Sequence, residues 1–184
     1  MIKVIGGILR GRKLKTPKGR DTRPVLARIR ESLFSVTGDL HGISMLDLFA
    51  GTGAVGIEAI SRGASSVVFV EKAHGACVVI RDNLTALSLD AEVVQADLTT
   101  SLKTLEARNR QFGFIFADPP YGTGLSQKAL DAVFSSDLLE PPSLMALTVR
   151  QDEEIVPAGD NCIEVFNRRY GDTRLLIFQR QQVS

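Results

Sequence analysis

The chain is poor in the residues that build metal centres. Its 184 residues include only two histidines, His41 and His74, and two cysteines, Cys77 and Cys162. The thiols are far apart in sequence and make no metal-ligand spacing. Two histidines do not make a His-based site, so no bound metal is expected. Long apolar runs are also missing: none approaches the roughly 20 residues of a membrane span. The start, Met1-Ile2-Lys3-Val4-Ile5-Gly6-Gly7, lacks the charged-then-apolar layout of an export signal. Reduced cysteines and a cytoplasmic location are the matching expectations. No repeat or low-complexity stretch is present. What remains is the composition of a globular protein, 44% hydrophobic and 23% charged. That length suits one domain with a real core.

Charge is unevenly spread. The formal net charge is +1, yet residues 1–30 carry ten basic residues against the single acid Asp21. That segment is net +9 and the remainder net −8. A basic arm on an acidic body points to a polyanion docking at one end, with a solvated tail as the plain alternative.

Residues 2–16 alternate loosely around Gly6-Gly7 and Gly11, a pattern that predicts a small β-hairpin. After a turn-rich stretch from Thr16, Pro24 opens a helix with Val25, Ile29, Leu33 and Val36 along one stripe. From residue 43 strands alternate with helices. Strands are predicted at Met45–Phe49, Val67–Val70, Ala91–Val94, Phe112–Ala117 and Leu144–Val149. Helices are predicted at Val55–Arg62, Ala76–Leu87, Ser101–Arg108 and Gln127–Phe134. Short apolar strands separated by helices predict an α/β fold with a doubly wound, mostly parallel sheet. Two last strands, Cys162–Asn167 and Thr173–Phe178, are joined by a linker too short for a crossover helix, so they predict an antiparallel hairpin at the edge. The division expected is a basic hairpin and helix at 1–36 and a main domain at 37–184.

Asp47-Leu48-Phe49-Ala50-Gly51-Thr52-Gly53-Ala54-Val55-Gly56 runs from a strand into a helix. Glycines there let the backbone turn tightly beside a ligand, and the helix start offers N–H groups. The run also fits the dinucleotide fingerprint G-x-G-x-x-G, with Glu71 twenty residues beyond Gly51. Three features oppose a dehydrogenase. Asp47 would repel pyrophosphate, no stretch is left for a second catalytic domain, and the motif below has no part in hydride transfer. S-adenosylmethionine, with an adenosine, an ammonium and a sulfonium but no phosphate, suits the site better. Glu71 ends the second strand, where a carboxylate can take ribose hydroxyls. Asp97 ends the third strand region, placed for the adenine amino group or as a helix N-cap.

Asp118-Pro119-Pro120-Tyr121 follows a buried strand directly. Two prolines stiffen the turn and remove two N–H donors, which leaves acceptors: the Asp118 carboxylate and the Pro119 carbonyl. An exocyclic amine carries two donors and needs two acceptors. Held that way, its lone pair is drawn out of conjugation toward an electrophile, while Tyr121 stacks on the base. The plain alternative is a rigid turn with a capping aspartate.

Together, Asp47 to Gly53 and Asp118 to Tyr121 resemble the first and fourth motifs of Rossmann-like class I amino-methyltransferases. The start narrows the resemblance. Ile5-Gly6-Gly7, Gly11-Arg12-Lys13-Leu14, Thr22-Arg23-Pro24, Arg28-Ile29-Arg30-Glu31-Ser32-Leu33-Phe34 and Gly56-Ile57-Glu58-Ala59-Ile60-Ser61-Arg62-Gly63-Ala64 are similar to the bacterial small-subunit (16S) ribosomal RNA guanine-N2 methyltransferases, the RsmD family. The similarity spans nearly the whole chain. It departs at Val25-Leu26-Ala27, where the family has threonines and an aspartate, and at Arg150-Gln151-Asp152-Glu153, where the family tends to show Val-Glu.

The resemblance implies a seven-stranded class I fold and S-adenosyl-L-methionine as cofactor. It implies cofactor contacts at Asp47, Phe49, Ala50, Gly51, Thr52, Gly53, Glu71, Lys72, Asp97 and Leu98, and a target amine at Asp118, Pro119, Pro120 and Tyr121. It implies RNA contacts at Arg10, Arg12, Lys13, Arg23, Arg28 and Arg30, on ribosomal RNA or a small-subunit assembly particle, by a monomer with no membrane association. Two other readings keep the same residues: methylation of adenine N6 or of another amine, and a non-catalytic RNA-binding assembly protein. Relatives acting on glutamine usually carry Asn in place of Asp118, which disfavours a protein amide.

Overall fold

The computed structural model describes residues 2–16 and 24–182, with side chains of the second stretch described from residue 27 onward. Val67–Val70 and Phe114–Ala117 are buried at every position, which leaves neither face of those strands for water. Such strands need helices on both sides. The chain supplies them in the order β1 (Ile2–Lys3), β2 (Lys13–Leu14), α1 (Pro24–Val36), β3 (Ser44–Leu48), α2 (Ala54–Ser61), β4 (Ser66–Glu71) and α3 (His74–Ala86). There follow β5 (Glu92–Gln95), α4 (Leu98–Ala107), β6 (Phe112–Ala117), α5 (Leu125–Phe134), β7 (Leu139–Arg150), β8 (Cys162–Tyr170) and β9 (Thr173–Arg180).

The main sheet has seven strands in the order β5-β4-β3-β6-β7-β9-β8. Strands β3 to β7 pair in parallel, and β9 runs antiparallel between β7 and β8. This is the doubly wound arrangement of a class I methyltransferase. Two apolar layers flank the sheet. One joins α4 and α5 to it through Leu102, Leu105, Leu130 and Val133. The other joins α1, α2 and α3 through Ile29, Leu33, Ile57 and Ile80, and it takes in Val4 and Leu14 of the small β1–β2 hairpin.

Most boundaries differ from the pattern by one to three residues, α4 for example beginning at Leu98, and the start of β7 differs by five. Strand β7 begins at Leu139, before the prolines that end its apolar run, because Leu139 pairs with Phe112 ahead of a register shift. Strand β8 runs to Tyr170 and, as an edge, is mostly exposed. Phe49 leaves β3 with φ 57, a left-handed conformation uncommon for a side chain of this size. Both cysteines are buried free thiols. Among the described residues no helix is long and apolar enough to cross a membrane.

Candidate active site

Strand order reverses between β3 and β6, and in an open α/β sheet ligands bind at the carboxyl ends beside such a reversal. Register sets what arrives there. Leu48 lies opposite both Val70 and Ala117, and Glu71 opposite Gln95. Phe49, Glu71, Asp97 and Asp118 therefore leave their strands within a residue or two of one level. They share one cavity of about 1020 Å³, whose wall also includes Lys72, Leu98, Pro119, Pro120 and Tyr121. Nine of the predicted site residues thus meet there.

Asp47 and the turn Ala50–Gly53 do not line that wall. The backbone amides are turned inward. Gly51 N donates to Glu71 Oε2 at 2.9 Å, Gly53 N to the Ala50 carbonyl at 2.7 Å, and Gly56 N to Asp47 Oδ2 at 2.9 Å. Gly53 has φ 74, a conformation that L side chains adopt with strain. The expectation that the helix start offers free N–H groups to a ligand is thus corrected at Gly56, and the Gly51 and Gly53 amides of the turn are likewise used within the fold. The Gly51 donor ties the turn to β4, the Gly53 donor closes the turn on itself, and the Gly56 donor ties α2 to β3. Asp47 is 1% exposed. Burial pushes its carboxyl up to about 7, against the Gly56 amide, with the negative charges of Asp118 and Glu71 adding to the rise.

Glu71 bridges the two neighbouring turns. Beside its bond from Gly51, its Oε1 accepts from Ala73 N at 2.8 Å. Asp97 caps α4, with Oδ1 accepting from Thr100 N at 2.9 Å. That backbone bond and a second from the Thr100 side chain hold its carboxyl below the usual range. Asp97 is thus the helix cap that was weighed for it, and it also stands in the cavity wall.

Asp118 N donates to the Leu48 carbonyl at 3.4 Å, which ties the Asp-Pro-Pro-Tyr turn to β3. The Thr148 hydroxyl on β7 donates to Asp118 Oδ1. Tyr121 Oη lies 3.1 Å from Thr173 Oγ1 at the start of β9. Thr123 Oγ1 donates to the Pro120 carbonyl at 2.7 Å and closes the turn.

The basic hairpin is docked by side chains that the motifs left without a role. The buried Glu58 carboxylate accepts from Ile5 N and Gly6 N, each at 2.6 Å, and from Arg62 Nε at 2.9 Å. Ser61 Oγ donates to the Gly6 carbonyl at 2.6 Å and accepts from Leu9 N at 2.9 Å. Gly7 has φ 72, and a Cβ there would collide with the Ser61 carbonyl. Asn83 is buried and bonds three backbone groups: Lys15 N, the Lys15 carbonyl and the Thr52 carbonyl. It joins the hairpin's exit to the glycine turn. Glu58, Ser61 and Arg62 stood in the family-like stretch, but only the folded contacts say what they do.

Of the predicted RNA contacts, Arg10, Arg12, Lys13 and Arg28 are exposed. Arg23 lies outside the described residues. Arg30 is corrected: it is 8% exposed, and its Nη2 donates to the Lys3 carbonyl at 3.0 Å. Burial lowers its pKa, opposed by the negative charges of Glu58 and Glu31. A guanidinium held under the hairpin is a packing element and is not available to phosphate.

The family model described as Conserved hypothetical protein 95 matches residues 2–179. Ribosomal RNA small subunit methyltransferase D of Escherichia coli strain K12 is 32% identical over 146 residues, 78% of this chain and 72% of that protein. The chain belongs to this methyltransferase family. Among solved structures, a hypothetical protein of Thermus thermophilus is 31% identical and superposes with TM-score 0.82 over all of both chains. The T. thermophilus 16S rRNA N2 G1207 methyltransferase (RsmC), in complex with AdoMet and guanosine, superposes with TM-score 0.72 at 20% identity. That match covers 89% of this chain and 45% of that one, and shows the shared fold.

Proposed function

We propose that the chain transfers a methyl group from S-adenosylmethionine to the exocyclic N2 amine of a guanine in small-subunit ribosomal RNA. The observation that carries this reading is the placement of Asp118-Pro119-Pro120-Tyr121 in the same cavity wall as Glu71 and Asp97. Amine-holding acceptors and nucleoside-holding carboxylates then face one space. The family's named members act on this RNA.

The residues present fit the cofactor. The cavity is of the size that takes a nucleoside ligand with part of a second group. Each Glu71 oxygen accepts one backbone amide and keeps a second lone pair for a ribose hydroxyl. Asp97, held ionised, is an acceptor on the adenine side. Phe49 and Leu98 supply apolar wall. Bound there, the cofactor supplies an electrophilic sulfonium methyl. Asp118 and the Pro119 carbonyl accept from the target amine and aim its lone pair, and Tyr121 packs on the base. These acceptor bonds strengthen as the nitrogen gains positive charge. The base must leave its stack to reach them. Residues 1–36 form the RNA-facing extension of the catalytic body at 37–184, and Arg10, Arg12, Lys13 and Arg28 meet phosphate.

The test is incubation with labelled cofactor and small-subunit RNA or particles, then nucleoside analysis. N2-methylguanosine is expected with the unchanged chain and is abolished by Asp118→Ala with cofactor binding kept. N6-methyladenosine instead would leave the chemistry and overturn the substrate; no transfer to RNA would overturn both.

A further inference from the structure

Thr148 sits in the middle of a core strand. Its neighbours Met145, Ala146, Leu147 and Val149 are fully buried, and Thr148 itself is 1% exposed. A valine would fill the same space, and a buried hydroxyl is costly unless it is bonded. The hydroxyl has one proton and two acceptors nearby, the Ala117 carbonyl at 3.5 Å and the closer Asp118 carboxylate. The charged, nearer oxygen takes it. Thr173, also buried, stands two residues along β9 from Leu175, the residue that pairs with Thr148, and its hydroxyl meets Tyr121. The two threonines thus reach opposite ends of one four-residue turn from the β7–β9 pair, the antiparallel part of the sheet.

We infer that Thr148 and Thr173 are positioning residues of the methyl-transfer site, Thr148 fixing the plane of the Asp118 carboxylate and Thr173 the ring of Tyr121. This rests on the amine-methylation reading above. Prolines stiffen the backbone of the turn, but they do not themselves set the rotamers of Asp118 and Tyr121 at its two ends. An amine lone pair is aimed only if its acceptors have fixed directions, and small misplacement at a reacting centre is expensive in rate. With one oxygen pinned by Thr148, the carboxylate can no longer swing about its own bond. With its hydroxyl held, the Tyr121 ring presents one face to the base.

Two measurements test this on the full chain. The first needs no substrate: carboxyl titration of Asp118 by carbon NMR, assigned with Asp118→Asn, in the unchanged chain, Thr148→Val and Thr148→Ser. Among the described residues the other ionisable groups near Asp118 are Asp47, buried on β3 behind the cavity wall, Glu71 at the end of β4, and Lys72, Asp97, Tyr121 and Asp172 of the wall itself, and all remain in each variant. Loss of a donor to the charged form moves the Asp118 midpoint up in Thr148→Val, and Thr148→Ser restores it. The second is methyl transfer to small-subunit RNA. Thr148→Val lowers kcat about tenfold with cofactor affinity unchanged, and Thr148→Ser recovers it. Thr173→Val raises the RNA KM several-fold and leaves kcat nearly unchanged, as loss of uniform binding does. Thr148→Ala replaces Thr148→Val should the valine chain not fold. An Asp118 midpoint identical in all three chains overturns the inference whether or not RNA is methylated. A chain that methylates no RNA yet shows the midpoint shift overturns the proposed reaction and leaves the placement of Asp118 by Thr148 standing.

Discussion

Glu58→Ala should release the hairpin. The carboxylate accepts two backbone amides of the hairpin and one guanidinium, and it is fully buried. Two routes open when it is removed. With the hairpin still docked, Ile5 N and Gly6 N lose their acceptor, at about 1–3 kcal/mol for each part-buried donor. With the hairpin lifted, both amides reach water, but Val4 and Leu14, 2% and 3% exposed, are uncovered. That costs about 1.5–3 kcal/mol for each side chain. Arg62 is 29% exposed and adds little, because solvent screens that pair. The first route comes to about 2–6 kcal/mol and the second to about 3–6 kcal/mol, and the cheaper one sets the loss. Glu58→Gln keeps the shape but offers one acceptor to two donors, so about half that loss is expected. Urea unfolding reads the total, and amide exchange at Ile5, Gly6, Ile8 and Leu9 reads the hairpin alone. A Glu58→Ala chain that loses under about 1 kcal/mol, with exchange at Ile5 and Gly6 unchanged, would refute the docking argument.

Asp47 makes stability depend on pH. Its folded carboxyl lies near 7, against 3.8 for an ordinary aspartate. The folded state therefore favours the proton, and stability falls as pH rises from about 4 to about 7, by at most about 4 kcal/mol. Asp47→Asn keeps an acceptor for Gly56 and should flatten that fall in urea midpoints; parallel curves would refute it. Asp97 works the other way: its lowered carboxyl contributes to stability above its ordinary value. The penalty of Asp97→Ala in thermal unfolding should shrink as pH drops through 3.8 and below. Arg30→Ala should lower the melting temperature while leaving the salt dependence of RNA binding unchanged. Arg28→Ala should leave melting unchanged and reduce that salt slope by about one. The opposite assignment in filter-binding assays would show that Arg30 meets the RNA after all.

Local pattern carried much of this protein. The alternation of apolar strands with amphipathic helices determined a doubly wound sheet, because strands apolar on both faces leave no other way to bury them. The glycine turn and Asp118-Pro119-Pro120-Tyr121 were legible because backbone conformation and donor loss are properties of contiguous residues. The basic start was legible by counting. The start of β7 was not, since Pro141 and Pro142 interrupt the apolar run while Leu139 pairs with Phe112 regardless. Only the tertiary structure decided that Arg30 is buried under the hairpin when Arg28, two residues earlier, faces water. It alone decided that the Gly51, Gly53 and Gly56 amides are used within the fold. It also brought Glu58 to Ile5 across 53 residues, Asn83 to Lys15 across 68, and Thr148 to Asp118 across 30. A threonine in an apolar strand or a glutamate in a helix carries no mark of its partner. The partner is set by strand order and register, and those are fixed when the sheet closes around its core.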